Sequence, residues 1–386
     1  MTEFQFKEPS FLPEEMLMLR AQVRRFVETV VIPQGDAWEV DGFVPRAIFK
    51  QMGEMGILGM RHPESYGGGG LGPMCSVILA EELSRSSYGG FASSTLVHTD
   101  MSISHIAKRG TEAQKKKYLP PAIRGEKIGA VCVTEPGAGS DVAAIATRAT
   151  RDGDSYVING AKTFITNGVY GDIYIVAART DAKAKASRGI SLFIVEKGTP
   201  GFSVTRKLEK HGWRSSDTAE LYFEDARIPA ENLLGEENAG FYGIMDTFQD
   251  ERLQIGAMSA GQCSKAIELT VDYVKTRKAF GETLWDKQAV RQKLASLAAK
   301  AAAARALTYE AAQILAEGRE CIREVSMIKA HCAEVLQEVV HGCLQLHGGT
   351  GYMIGTPIER MVRDARVLTI GGGATEVMLE EVAKRM

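Results

Sequence analysis

Residues 155–167 read SYVINGAKTFITN, where β-branched and aromatic side chains alternate with polar ones, the period of two expected of a half-buried strand. The same texture recurs in DIYIVAART (172–180), GISLFIVEKG (189–198) and AELYFEDARI (219–228). Asn159–Gly160 has the composition of a two-residue hairpin turn between two strands. The middle third is therefore predicted to be antiparallel sheet.

On either side the period changes. Leu19, Val23, Phe26 and Val30 are spaced as on one helix face from Glu14 to Ile32, with a stop predicted at Pro33. Further helices are predicted near 45–58, 74–85 and 93–108, interrupted by the glycine run at 67–70, and the texture shifts past Pro120–Pro121. From about 240 helical spacing returns, with an alanine-rich helix near 286–317 and another near 320–347. The predicted domains are 1–120 (helical), 121–234 (β) and 235–386 (helical), an α+β order without the βαβ alternation of a doubly wound fold.

The chain has 386 residues, 46 Lys+Arg against 48 Asp+Glu, and a formal net charge of −2. That balance offers no global field for nucleic acid or an anionic membrane, and the length suffices for a core without disulfide or metal staples. A 45% hydrophobic and 24% charged composition excludes disordered, collagenous and rod-like chains. No stretch approaches the roughly 20 apolar residues of a membrane helix. The opening MTEFQFKEPSFLPEEM, acidic and broken by Pro9 and Pro13, reads as a mature start. Six scattered cysteines favour a reducing compartment, and a cytoplasmic location is expected.

Two motifs are set aside. Gly67, Gly69 and Gly72 satisfy G-x-G-x-x-G inside GGGGLG, but no strand precedes them and Pro73 follows, so a loop is expected. Cys321, His331, Cys332, His341, Cys343 and His347 suggest a metal site, yet successive cysteines fall eleven residues apart. That is about 16 Å along a helix, too far for ligands that must lie about 2.0–2.3 Å from one centre. Small buried hydrophobes on a packed face are expected instead, with no metal.

Three glycine-bearing segments, TEPGAGSD (134–141), QLHGGTGY (345–352) and IGGGATEV (370–377), can bring bare main chain against a phosphate or a flat heteroaromatic ring. Thr134 and Ser140 add hydroxyls, and Arg277 in TRKAFG (276–281) offers a guanidinium fork to a pyrophosphate. With GAKTFITNG (160–168) and RDAR (363–366), these motifs resemble, in order and spacing, an acyl-CoA dehydrogenase over essentially the whole chain. The resemblance implies an N-terminal α-helical domain, a middle antiparallel β-barrel and a C-terminal four-helix bundle. It also implies FAD as cofactor, oxidation of an acyl-CoA to the trans-2-enoyl-CoA in fatty acid metabolism, electron-transfer flavoprotein as acceptor, and a homotetramer.

Removing a proton beside a thioester carbonyl needs a carboxylate base, hydrogen bonds on the carbonyl oxygen, and a flavin N5 to accept the hydride. In the short- and medium-chain branches that base is a Glu in a Tyr-Glu-Gly-Thr segment; here the matching position is Gly372. In the isovaleryl and long-chain branches it lies on the first long helix of the C-terminal domain, before an Arg-Leu pair. FQDERL (248–253) supplies Glu251 there, and residues 217–245 look most like the long-chain branch. Asp250 is the decoy, since consecutive helical residues point about 100° apart.

Position by position, the resemblance implies that Val131, Val133, Thr134, Gly139 and Ser140 line the flavin, with Ser140 also near the pantetheine. It lays Phe164 against the isoalloxazine, with Ile165 beside it and Thr166 near N5. Arg277, Phe280, Gln288 and the Gln345–Gly348–Gly349 turn would reach the FAD of a neighbouring subunit, and Glu376 would border FAD. Arg252 would contact the CoA, Tyr242 the substrate tunnel, and the Gly372 amide the thioester carbonyl. Ala374 stands where relatives carry a hydroxyl toward FAD, a loss of about 0.5–1.5 kcal/mol that weakens retention without abolishing it.

Acyl specificity is expected to depend on the helix around 92–104. Ala92, Ser93, Ser94 and Thr95 there would equally permit a roomy pocket or close helix packing. Straight medium to long chains and branched ones such as isovaleryl- or citronellyl-CoA both stay open. The same scaffold also serves acyl-CoA oxidation by O2, desulfination, and nucleic-acid binding without dehydrogenation; a base at Glu251 argues against the last.

Overall fold

The computed structural model describes residues 6–386. Ahead of the sheet come α1 (Glu14–Phe26), α2 (Ile32–Asp41), α3 (Arg46–Glu54), α4 (Pro73–Ser84), α5 (Gly89–Leu96), α6 (Ile103–Arg109) and α7 (Glu112–Ile123). The stop predicted at Pro33 is not made. A π turn over Val27–Val31 joins α1 to α2 with helical dihedrals at the junction, and Pro33 falls in the first turn of α2, where its fixed φ is already helical. Gly42, at φ 75°, ends that helix. Thr111 and Gln114 form a capping box at the start of α7, which carries Pro120 and Pro121 within it.

The strands are β1 (Gly129–Cys132), β2 (Arg148–Asp152), β3 (Ser155–Thr166), β4 (Ile173–Arg179), β5 (Ile190–Glu196), β6 (Phe202–Lys207), β7 (Thr218–Pro229) and β8 (Leu233–Leu234). They pair in the order β6-β7-β3-β2-β4-β5-β8, with β1 also on β4. Two expectations are corrected here. The sheet is mixed, because β1 and β2 both pair β4 in parallel; the long excursion between β1 and β4 returns the chain in the same direction. The path also ends at β6 and β8, and no pairing among the described residues closes it into a barrel.

The hairpin predicted at Asn159–Gly160 is not formed either. β3 runs unbroken through it, with a register shift against β7 between Ile158 and Gly160. Asn159 accepts the Asp225 amide at 2.8 Å and donates to the Asp225 carboxylate at 3.1 Å, so its side chain fills the bulge instead of a turn. The two-residue turn lies at Gly153–Asp154, between the paired Asp152 and Ser155, with Gly153 at φ 60°.

β4 and β5 are buried on both faces. Ile173, Ile175, Ile190 and Leu192 join Ile103, Leu119 and Ile244 on the helical side, while Tyr174, Val176, Phe193 and Val195 join Tyr156 and Phe223 on the other. The two strands thus lie between helices on one face and the sheet's own β3 and β7 on the other, and further helices follow β8.

Those are α8 (Gly240–Thr276), α9 (Gln288–Ala316) and α10 (Ile322–His347), then α11 (Gly349–Tyr352), α12 (Pro357–Ala365) and α13 (Thr375–Ala383). Between α8 and α9, β9 (Lys278–Ala279) and β10 (Glu282–Thr283) form a small hairpin. The bundle has three long helices, completed by the short α12 and α13 against α10. Gly261 lets α8 close on α4: a Cβ there would sit 2.0 Å from the Glu81 carbonyl oxygen. Cys321, Cys332 and Cys343 lie in the hydrophobic core. No helix among the described residues is long and apolar enough to cross a membrane.

Candidate active site

α8 runs beneath the turn at 370–374. Gly372 and Gly373 there take φ 69° and 105°, left-handed conformations that favour glycine. A Cβ on Gly372 would stand 2.6 Å from Ile255 Cδ1 and 3.0 Å from Glu251 Oε1, so the Glu251 carboxylate already occupies the space such a side chain would need. Glu251 Oε2 is buried without a hydrogen-bond partner, and the Gly372 amide has no acceptor among the described residues. Burial pushes the Glu251 carboxyl up to about 7, against the opposing pull of Arg252 and Lys329. An unengaged carboxylate near half ionisation at neutral pH, next to a free amide donor, is equipped to take a proton from carbon while the amide steadies an adjoining oxyanion.

Asp250 faces elsewhere. Arg61 Nη2 donates to it at 2.8 Å and Lys108 Nζ at 3.0 Å, and Lys108 and Arg109 also reach Asp246 at 3.2 and 2.7 Å. The decoy is a clamp between α8 and the N-terminal helices.

The loop after β1 is pinned to β3 by a pair the motifs contained but the sequence reading passed over. Lys162 Nζ, fully buried, donates to Glu135 Oε1 at 2.7 Å and to the Val133 carbonyl at 3.1 Å. Glu135 also accepts the amides of Ala146 at 2.6 Å and Thr147 at 3.0 Å. The Thr163 amide bonds the Thr134 carbonyl at 2.9 Å, which sets 131–134 alongside 162–166. Val131, Thr134 and Thr166 are half-buried, Val133 and Ile165 are in the core, and Gly139 and Ser140 are exposed. Around Gly137 and Gly139 a Cβ would meet nothing within 4 Å. Phe164 is 68% exposed at φ 60°, on a bulge between Lys162 and Ile165. A bulky residue held left-handed and outward calls for a partner on its outer side.

A second group gathers at the far end of the bundle. Tyr273 stacks on His347 with ring centroids 4.3 Å apart, bringing Arg277, Phe280 and Gln288 toward Gln345, Gly348 and Gly349, all exposed. Arg277 is about 39 Å along α8 from Glu251 at 1.5 Å per residue, so one chain does not bring this group to the Glu251 site. Tyr242 is exposed near the start of α8, Arg252 is half-buried and Glu376 is exposed in the first turn of α13. Ala374 is the N-cap of α13 and leaves it without a side-chain cap, a consequence of the missing hydroxyl that reading it only as a cofactor contact overlooked.

Ala92, Ser93, Ser94 and Thr95 are all buried. Ser94 is tied to Asn167 through hydroxyl and carbonyl, and Asn167 also donates to Gly129 O at 3.0 Å. The helix then winds into a π turn over Val97–Ser102, a device often found at functional sites. Asp364 of RDAR accepts the amides of Gly89 at 2.9 Å and Trp213 at 2.6 Å, joining all three regions.

The sequence matches three successive family descriptions: "Acyl-CoA dehydrogenase, N-terminal domain" over residues 13–126, "Acyl-CoA dehydrogenase, middle domain" over 130–226 and "Acyl-CoA dehydrogenase, C-terminal domain" over 238–386. It is 41% identical over 370 residues to the mitochondrial long-chain specific acyl-CoA dehydrogenase of Mus musculus, covering 96% of this chain and 86% of that one. To the mitochondrial isovaleryl-CoA dehydrogenase of Pongo abelii it is 40% identical over 371 residues, covering 95% and 87%. The crystal structure of an acyl-CoA dehydrogenase from Geobacillus kaustophilus superposes with a TM-score of 0.94 at 42% identity, covering 98% of this chain and 99% of that one.

Proposed function

The chain belongs to the acyl-CoA dehydrogenase family of FAD-dependent oxidoreductases, and from that premise we propose that Glu251 is the base that removes the α-proton of an acyl-CoA on the way to the trans-2-enoyl-CoA. The observation that carries this reading is the Glu251 carboxylate lodged at the Gly372 turn with one oxygen unpartnered.

FAD is the cofactor, and the residues fit it. The bare glycines at 137 and 139, the outward Phe164 and the half-buried Thr166 form a surface suited to a flat ring and its phosphates. When bound, FAD supplies the acceptor for the β-hydride. This chain's own residues do the rest. Glu251 accepts the α-proton, and the Gly372 amide donates to the thioester oxygen as negative charge develops there. Ser140 and Arg252 hold the pantetheine and CoA portions, and Tyr242 lines the way in.

We assign a medium- to long-chain or branched acyl-CoA, isovaleryl- or citronellyl-like, as substrate. A base carried on α8 leaves Gly371 to Gly373 without side chains, and nothing approaches a Cβ on Gly371 closer than 3.7 Å. Electron-transfer flavoprotein is the proposed acceptor and a homotetramer the proposed assembly. Supporting the latter, Phe280 is 96% exposed and Tyr352, Met353 and Ile354 form an apolar surface beside the residues expected to meet a neighbour's FAD. Six unpaired, buried cysteines suit the cytoplasm. The test is anaerobic mixing with a panel of acyl-CoA thioesters. Bleaching of the flavin by wild type, with loss of orders of magnitude in rate for Glu251→Gln at unchanged FAD content, is expected; near-normal bleaching by the variant would overturn the assignment.

A further inference from the structure

Lys329 lies on α10, fully buried, and among the described residues its Nζ has neither a hydrogen-bond partner nor a carboxylate at ion-pair distance. Leaving an ammonium so is costly unless the site uses its charge. It has company of the same kind: Glu251 Oε2, Arg252 Nε and Thr375 Oγ1 are also buried and unpartnered. These atoms come from α8, α10 and α13, which pack on one another through α10. Ile328 is wedged against Gly256, where a Cβ would lie 2.3 Å from Ile328 Cγ2. That contact packs the turn of α10 that carries Ile328 and Lys329 against α8 about one turn past Glu251 and Arg252.

The charges that reach Lys329 are Glu251 and Arg252 from α8 and Glu376 from α13; those that reach Glu251 are Arg252 and Lys329. α9, α11, α12 and the turn Arg366–Thr369, which also pack on α10, contribute none of them. The two cations near Glu251 differ. Arg252 is half-buried and shares its field with Glu381 of α13 and with Arg385 just beyond that helix, whereas Lys329 is sealed from solvent.

We propose that Lys329 is a positioning residue for the base, its sealed ammonium being the fixed counter-charge that keeps the Glu251 carboxylate ionised when acyl-CoA covers the site. The proposal rests on the reading of Glu251 as base. Burial pushes Lys329 down to about 8 and Glu251 up to about 7, each toward its neutral form, while the charge of each opposes the shift of the other. Once Glu251 holds the substrate proton, the ammonium loses its counter-charge, which favours giving that proton up again.

The test uses the FAD-loaded protein. In Lys329→Met, of similar length and apolar, the acid limb of the pH profile for anaerobic flavin reduction should move up by about one pH unit. The high-pH rate should stay within a few-fold of wild type and the FAD content unchanged, while Lys329→Arg, which keeps the charge, should keep the limb in place. A second readout needs no turnover: the carboxylic C=O infrared band that Glu251→Gln abolishes should titrate about one unit higher in Lys329→Met. Lys329→Gln must show the same displacement should the Met variant fail to fold. A uniform loss of rate at every pH, or shed FAD with both midpoints unmoved, would make Lys329 merely structural. Near-normal turnover by Glu251→Gln would instead overturn the base assignment, so the two failures are told apart.

Discussion

Glu251 Oε1 stands 3.0 Å from where the first side-chain carbon of residue 372 would be. Two residues far apart in the chain therefore address one point, and only one can place a side chain there. Ile255, a turn beyond Glu251 on α8, already closes on the same point at 2.6 Å, so the space belongs to α8 and the 370–374 turn must be bare.

The raised Glu251 value carries two signs. With Glu251 as the proposed base, whose ionised form takes the proton, flavin reduction should fall about tenfold per pH unit below about 7. For stability the folded value lies above the ordinary 4.5, so this group's contribution is fully present below about pH 4.5 and lost as pH rises through about 7. Glu251→Gln cannot ionise, and should melt above wild type at pH 8, with the gap closing toward pH 5, in thermal scans of the holoenzyme.

Gly372→Ala should be damaging and Gly371→Ala mild. The first forces a Cβ into a left-handed residue, about 1–2 kcal/mol, and displaces Ile255 or Glu251. Flavin reduction should drop about tenfold or more with a lowered Tm. Gly371→Ala has room and should stay within about twofold in the same assays.

Asp250→Asn removes the charge that holds Arg61 and Lys108. Since both cations are partly solvent-exposed, the expected loss is about 1–3 kcal/mol in denaturant unfolding. The acid limb of the pH profile should not move, which separates this clamp from its neighbour Glu251.

Lys162→Met strands the Glu135 carboxylate inside the protein. Breaking a buried pair on one side costs about 3–5 kcal/mol, and the 134–141 loop loses its anchor. The purified variant should hold less FAD per protein, measured by absorbance ratio.

Ala374→Thr restores a side-chain oxygen at the N-cap of α13. A gain of about 1 kcal/mol is expected, read as a raised Tm with flavin reduction preserved.

The order helix, sheet, helix was legible in the chain because periods of 3.6 and 2 are local properties of neighbouring residues. The motifs likewise carried the family, and it was the resemblance to that family that pointed to Glu251 and to the bare Gly372. Where two local signals competed, only the assembled fold chose between them. Pro33 could end a helix or start one, and a π turn made it a start. Asn159–Gly160 could turn or bulge, and pairing with β7 at Asp225 made it a bulge. The parallel pairing of β1 and β2 with β4 depends on where distant segments return. So do the meeting of Glu251 with Gly372, the Lys162–Glu135 pin and the sealed charge of Lys329. Burial and electric field are sums over neighbours in space, and no stretch of sequence contains those neighbours.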